Sequence, residues 1–376
     1  MDTRRFVADR IAALSGSGIR RIFDLAATLK DPIDFSMGQP DFPVPEPIKA
    51  AAARAIAENR NGYTVTYGLP ALRDRIRKQL QQEFGWDPQD SERSTFVTCG
   101  VSGGLMLAML ACLNAGDEVI IPDPYFVSYP HLVMLAGGKA VPVDTAPSYT
   151  YDPQRLAAAI TPRTKALVLA SPSNPTGVVY SADQVQAVCA VAQERDLLII
   201  SDEIYQMLCF DAAPTSPATY APERTIVLRG FGKSYGATGW RMGYAAGPAA
   251  VVNEMAKIQQ YTFVCAPHPL QQACLAAFDV DMSAVVAAYR KKRDLGVGIL
   301  RERFELASPG GGFFYYCRAP QKFATGTAFV EAAIQRNVLT VPGAAFSTHD
   351  THFRISYAVP DEKLRAGCEI LCELAG

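Results

Sequence analysis

Five short apolar runs punctuate the middle of the chain: "TFVT" (95–98), "EVIIP" (118–122), "ALVLA" (166–170), "LLIIS" (197–201) and "TIVLR" (225–229). Helical patterns such as 103–114 and 181–194 fall between several of them. A run that is apolar on both faces needs cover on both sides. Its alternation with helices makes the sheet largely parallel. The expected fold class is therefore α/β, a mostly parallel sheet sandwiched by helices. Such sheets bind ligands beyond the carboxyl ends of their strands, so the residues just after each run are the ones to read for chemistry.

The flanks differ in character. "MGQPDFPVPEP" (37–47) carries too many prolines for a regular helix or a central strand. After residue 280 come a helical pattern near 283–305, "GGFFYYC", another helix near 326–336, and "HFRISYA", which spell a smaller α+β unit. The expected division is an N-terminal arm with part of the small unit (1–40), a large domain (41–280) and a small C-terminal domain (281–376).

Bulk properties exclude several classes. Thirty-six basic against thirty-seven acidic residues leave a net charge of −1, with no pull toward nucleic acid or an anionic membrane. No apolar run is long enough to span a bilayer. The amphipathic N-terminus lacks the core and cleavage site of a secretion signal. Nine cysteines without a C-x-x-C, set in apolar segments, are expected to be free thiols of a cytoplasmic protein. His349 and His352, in "STHDTHF", are expected in a polar surface loop rather than on a metal.

Each post-strand segment offers a reactive reading beside a plain one. In "CGVSGG", Gly100, Val101 and Ser102 present backbone N–H groups and a hydroxyl at a helix start, either an anion site or a capped turn. An aromatic in "DPYFVSYP" covers a flat ring or joins the core. Asn174 in "SPSNPTG" offers its amide to a ligand oxygen or simply turns the chain. Asp202 in "SDEIY" neutralises a protonated ring nitrogen, with Tyr205 beside it, or caps a helix.

The segment "GFGKSYGATGWRMGY" (230–244) looks at first like a phosphate loop. A P-loop would require glycine where Val227 stands, and a dinucleotide fingerprint would require it at Tyr235, so both readings fail. Lys233 is then either a solvated charge or, if desolvated near cations, an amine able to form a Schiff base. Arg241 could fork onto a phosphate.

In their order and spacing, "MGQPDF", "YTVTYG", "CGVSGG", "SPSNPTG", "SDEIY", "GFGKSYGATGWRMG" and "FRISYA" resemble the class I/II pyridoxal-phosphate-dependent aminotransferases of fold type I, over nearly the whole chain from about residue 20. That resemblance implies a seven-stranded-type sheet and pyridoxal 5'-phosphate as cofactor. Lys233 would bind the cofactor covalently and move the substrate proton. Asp202 would pair with the ring nitrogen, Tyr205 and Asn174 would hold the phenolic oxygen, and Phe126 would stack on the ring. Gly100, Val101, Ser102 and Arg241 would hold the phosphate. Arg354 would grip the substrate α-carboxylate, bordered by Gly38 and Asn174. Tyr63 would reach the phosphate of a second copy in a homodimer with shared sites.

The resemblance also carries departures. Gly230 stands where many relatives place a serine, which removes one phosphate contact. Ser102 stands where some aspartate-preferring relatives carry a lysine, and 259–267 ("QQYTFVCAP") is aromatic and apolar. The implied activity is amino-group exchange between an L-amino acid and a 2-oxo acid, with neutral, aromatic or broad donors. The alternatives are a carbon–sulfur β-lyase on the same scaffold and the effector-binding module of a transcription regulator. The latter would need a DNA-binding domain, for which there is no room before residue 20.

Overall fold

In a computed structural model of the chain, residues 1–12, 14 and 29–376 are described; the rest of the expected N-terminal arm lies outside them. All five apolar runs are strands: β2 (Arg93–Thr98), β3 (Glu118–Asp123), β5 (Thr164–Ala170), β6 (Leu198–Asp202) and β7 (Thr225–Gly230). Two more, β4 (Lys139–Asp144) and β8 (Gly243–Pro248), complete a seven-stranded sheet in the order β2-β8-β7-β6-β5-β3-β4. Every pairing is parallel except those of β8, which runs antiparallel to both β2 and β7. Ile120, Val168, Ile200 and Val227 have no exposed surface, as strands covered on both faces require.

The small residues of β8 set the geometry beside the future site. A Cβ on Gly243 would lie 2.9 Å from the backbone of Gly100, so the turn after β2 rests directly on β8. The C-terminal unit holds an antiparallel sheet, β9 (Phe314–Arg318), β12 (His352–Ser356) and β11 (Val341–Pro342), and its core includes Phe35, Tyr289, Phe313, Phe329, Phe353 and Tyr357. β1 (Ile33–Asp34) pairs in parallel with β10 (Val338–Leu339), beside that core.

Two expectations need correction. His352 does not sit in a surface loop. It opens β12, stacks on Tyr316 with centroids 4.8 Å apart and planes 4° apart, and lies 3.1 Å from the Tyr149 hydroxyl. Burial pushes its imidazole down to about 4. A β-strand alternates its faces, and the sequence "THFRIS" turned His352 toward two aromatic rings. Asp202 caps no helix either: its Oδ1 accepts from the Ile204 N–H at 3.3 Å within a turn.

Among the described residues no group of three His, Cys, Asp or Glu is placed to hold a metal, and all nine cysteines are free. No described helix is long and apolar enough to cross a membrane.

Candidate active site

The carboxyl ends of the parallel strands converge on a cavity of about 360 Å³ that continues to Arg354 on β12. Of the residues singled out from sequence, Gly38, Gly100, Val101, Ser102, Phe126, Asn174, Asp202, Tyr205, Lys233, Arg241 and Arg354 all line it. Tyr63 does not. It is 84% exposed on the outer surface.

At one end the helix Gly100–Cys112 begins with its first N–H groups free of helical partners, and Arg241 lies against that terminus. Gly100 has φ +72, and a Cβ there would meet the Arg241 guanidinium at 2.7 Å. Glycine thus serves the backbone conformation and the close approach together. Arg241 itself is left-handed (φ 53) and donates from Nη1 to the Thr238 carbonyl at 3.1 Å. A helix N-terminus beside a guanidinium can hold an anion such as a phosphate. Gly230 has a steric reason to lack a side chain: a Cβ would meet Ile204 at 2.9 Å and Val101 at 3.0 Å.

Asp202 ends β6 at 4% exposure. The Tyr129 hydroxyl donates to its Oδ2 at 2.7 Å, and among the described residues no basic side chain pairs with it. Burial raises the carboxyl to about 6, partly offset by the Tyr129 and Ile204 hydrogen bonds. A desolvated carboxylate of this kind favours a cationic ligand group such as a protonated pyridine nitrogen.

Sequence reasoning missed Tyr129. Its signal was present, three residues after Phe126 at the start of the helix Ser128–Leu135, but a buried aromatic on a helix reads as core. Phe126 meets the Tyr129 ring edge-on at 5.6 Å, so the two aromatics brace each other beside the carboxylate.

Lys233 lies on the single-turn helix Phe231–Ser234 after β7. Its amine donates to the Gly38 carbonyl. Burial, and then the charges of Arg354 and Arg241, push it down to about 8. Tyr205 is buried beside Asn174 and Asp202, and burial pushes its phenol up.

Asn174 accepts from Arg354 Nη1 at 3.1 Å through its Oδ1, while Arg354 Nη2 donates to the Ser36 carbonyl at 2.7 Å. The Arg354 guanidinium sits between the rings of Phe314 and Phe346, 4.6 Å from each, and its buried Nε has no partner. Burial lowers it to about 10. A buried cation held flat between rings, with no carboxylate of the described residues against it, can receive one from a ligand.

A phosphate place, a ring-nitrogen partner and a desolvated amine, together in one cavity, fit a phosphorylated pyridine aldehyde. The comparisons agree with that chemistry. Residues 30–371 match the model of the family described as aminotransferase class I and II. The chain is 38% identical to a probable aspartate/prephenate aminotransferase of Thermus aquaticus, with 93% of each chain covered. It is 37% identical to the aspartate/prephenate aminotransferase of Cereibacter sphaeroides, covering 96% of this chain and 97% of that one. Among solved structures, an aspartate aminotransferase from Thermus thermophilus with maleate superposes with a TM-score of 0.92 at 35% identity, covering 98% and 99%. The chain therefore belongs to the class I and II aminotransferases. It is an aminotransferase whose cofactor is pyridoxal phosphate, on the α/β fold expected from its sequence.

Proposed function

We infer that this cavity exchanges an amino group between an L-amino acid and a 2-oxo acid in two half-reactions, and that neutral or aromatic donors serve it at least as well as aspartate. The charge inventory of the cavity carries the donor class. Among the described residues, the cationic ones that line it are Lys233, Arg241 and Arg354, and each already has a task. Met37, Val127 and Phe346 are among the apolar residues of the wall, and Ser102 offers a hydroxyl where a second carboxylate would need a cation.

In this reading Arg241 and the N–H groups of Gly100, Val101 and Ser102 hold the phosphate. Asp202 pairs with the ring nitrogen, Tyr205 and Asn174 with the phenolic oxygen, and Phe126 covers the ring face. The bound cofactor supplies an electron sink that acidifies the substrate Cα–H. Lys233, whose amine titrates near 8, takes that proton and returns it. Arg354 binds the substrate α-carboxylate, bordered by Gly38 and Asn174.

A second copy of the chain completes the site. The segment 62–69 is tied down from behind: Gln259 Nε2 donates to the Thr66 carbonyl at 2.9 Å and Gln271 Nε2 to Thr64 Oγ1 at 3.1 Å. Tyr63 at 84% and Tyr261 at 82% exposure are left facing outward, which suits a partner's cavity.

Mixing holoenzyme with single amino acids and following the cofactor absorbance tests the donor class. L-phenylalanine or L-leucine should react with a kcat/KM no lower than that of L-aspartate. An aspartate preference of several hundredfold or more in kcat/KM, beyond the roughly 10–200-fold that an apolar pocket can discriminate, would mean an overlooked cation. Pyruvate released from L-cysteine or L-cystathionine without added oxo acid would favour carbon–sulfur lysis. Hybrids of Lys233→Ala with Tyr63→Ala chains should regain activity, because one pocket in each carries neither lesion. Hybrids that form without activity would assign each site to one chain.

A further inference from the structure

The segment 34–42 crosses the mouth of the cavity and touches it twice through its backbone. The Ser36 carbonyl accepts from Arg354 Nη2 and the Gly38 carbonyl from Lys233. A strap that presents two carbonyls to two buried cations must itself be held, because a shift in it moves both acceptors. At its near end it is built into the C-terminal unit. The Phe35 N–H donates to the Leu339 carbonyl at 2.8 Å, and the Ser356 N–H to the Phe35 carbonyl at 2.8 Å. The far end has no sheet to join and ends in "PDF", Pro40 to Phe42.

What holds that end is a set of side chains on the helix Ser283–Leu300, outside the cavity. The buried Tyr289 hydroxyl accepts from the Asp41 N–H at 3.1 Å and donates to Asp41 Oδ1 at 2.5 Å. Lys292 lies 3.0 Å from Asp41 Oδ2 and 3.1 Å from Asp361, and also donates to the Val359 carbonyl. Phe42 meets the Tyr289 ring edge-on at 5.7 Å. Its carbonyl comes so close to Gly236, in the loop after Lys233, that a Cβ there would be 2.6 Å away. Both faces of this end are thus in contact, with the helix on one side and the lysine loop on the other. The Tyr289 ring is 6.0 Å from that of Phe313, over which the Lys233 amine lies at 5.9 Å.

We propose that Asp41, Tyr289 and Lys292 form a latch that positions the 36–38 strap, and through its Ser36 carbonyl sets the Arg354 guanidinium for substrate carboxylate. None of the three lines the cavity, so they are positioning residues. A surface ion pair would contribute little, but this one includes a buried tyrosine and a lysine that is 11% exposed. It also fixes a backbone N–H that has no sheet partner. The proposal rests on the reading that Arg354 receives the carboxylate.

The test uses holoenzyme and 3-phenylpropanoate, which has a carboxylate and a ring but no amine to react. Tyr289→Phe keeps the ring in its packing and removes both hydrogen bonds, so folding is not at stake; Asp41→Asn removes the charge. Each should weaken the probe about five- to twentyfold, as for a lost buried hydrogen bond acting at a distance. Amide exchange at 36–42 should rise more than exchange elsewhere in the fold. In an Arg354→Lys background the same substitutions should change the probe Kd less than about twofold, since coupled residues do not add. Arg354→Lys weakening the probe while Tyr289→Phe and Asp41→Asn leave it unchanged would overturn the latch alone. Full additivity with Arg354→Lys would overturn it too. If Arg354→Lys has no effect on the probe, the carboxylate reading falls and the latch falls with it.

Discussion

Asp202 and Glu203 are adjacent in sequence and similarly buried, at 4% and 5% exposure, yet their surroundings are opposites. Asp202 is the last residue of β6 and Glu203 follows it, its N–H still hydrogen-bonded to the Leu228 carbonyl of β7. The strand's alternation therefore sends the two side chains to opposite sides. On one side Glu203 accepts from Ser201 Oγ at 2.8 Å, Ser216 Oγ at 2.5 Å and Arg229 Nε at 2.8 Å, and Arg229 also reaches Glu83 at 2.6 Å. Burial works to lower the Arg229 guanidinium, but its acidic partners leave it raised. On the other side Asp202 has a tyrosine and one backbone N–H, while Lys233 and Arg354 are both lowered, with no carboxylate of the described residues against either. One face satisfies its buried charges internally. The other leaves a carboxylate and two cations unsatisfied, which costs stability and is the mark of a site built for a ligand's charges.

Substitutions on the two faces should therefore separate activity from stability. Lys233→Ala should lower turnover by about 10²–10⁴-fold, the range for losing a general acid–base group, and Asp202→Asn should fall in the same range. Borohydride reduction and peptide mapping should find the pyridoxyl group on Lys233; a label on another lysine would break the comparison at its root. Arg229→Met should do the reverse. It strands Glu203 and Glu83, so unfolding by urea should reveal a loss of about 3–5 kcal/mol while kcat per folded molecule is kept. A stable Arg229→Met, or an Asp202→Asn with normal kcat, would show that the two faces are not divided in this way.

How much of this division was legible beforehand depended on the local signal. The five runs became strands because they are short, rich in β-branched residues and alternate with helical patterns, and the residues after them fell into one cavity. β4, "KAVPVD", was hidden by its edge position, its proline and its polar ends. β8, "GYAAGP", was hidden by its lack of large apolar residues, although its smallness lets Gly100 and Arg241 meet. Tyr129 and the Asp41–Tyr289–Lys292 set were invisible for a different reason: their partners are 73 and about 250 residues away, and no local pattern encodes such pairings. The buried ion cluster around Glu203 was unread for the same reason, since "SDEIY" gives no hint that its two acids part ways.

Within the cavity the contrast sharpens at Arg354. Arg354→Lys keeps the charge but loses the planar fork and the stacking on Phe314 and Phe346. It should weaken amino and oxo substrates alike by about 2–5 kcal/mol, read as parallel losses in kcat/KM for the two half-reactions, with the cofactor spectrum unchanged. Unequal losses would mean that the two substrates place their carboxylates differently.

The smallest effect, and the most direct measure of unsatisfied charge, is the pH dependence of stability in the cofactor-free protein. Asp202 is raised from 3.8 to about 6, so between those values the folded state holds a proton the unfolded state has lost. Stability must fall as pH rises through that window, by about 3 kcal/mol at most, and stay lowered above it. Lys233 is lowered from 10.5 to about 8, so between those values the unfolded state binds the extra proton. Stability should recover by a similar amount, again about 3 kcal/mol at most, as pH rises from 8 to 10.5. Urea unfolding of the wild type against Asp202→Asn and Lys233→Met isolates each limb: the first variant should lack the acid-side fall and be the more stable protein at pH 7, and the second should lack the alkaline rise. Superimposable wild-type and Asp202→Asn curves between pH 4 and 7 would mean that the carboxylate is solvated after all, and that the two faces of β6 differ in partners but not in cost.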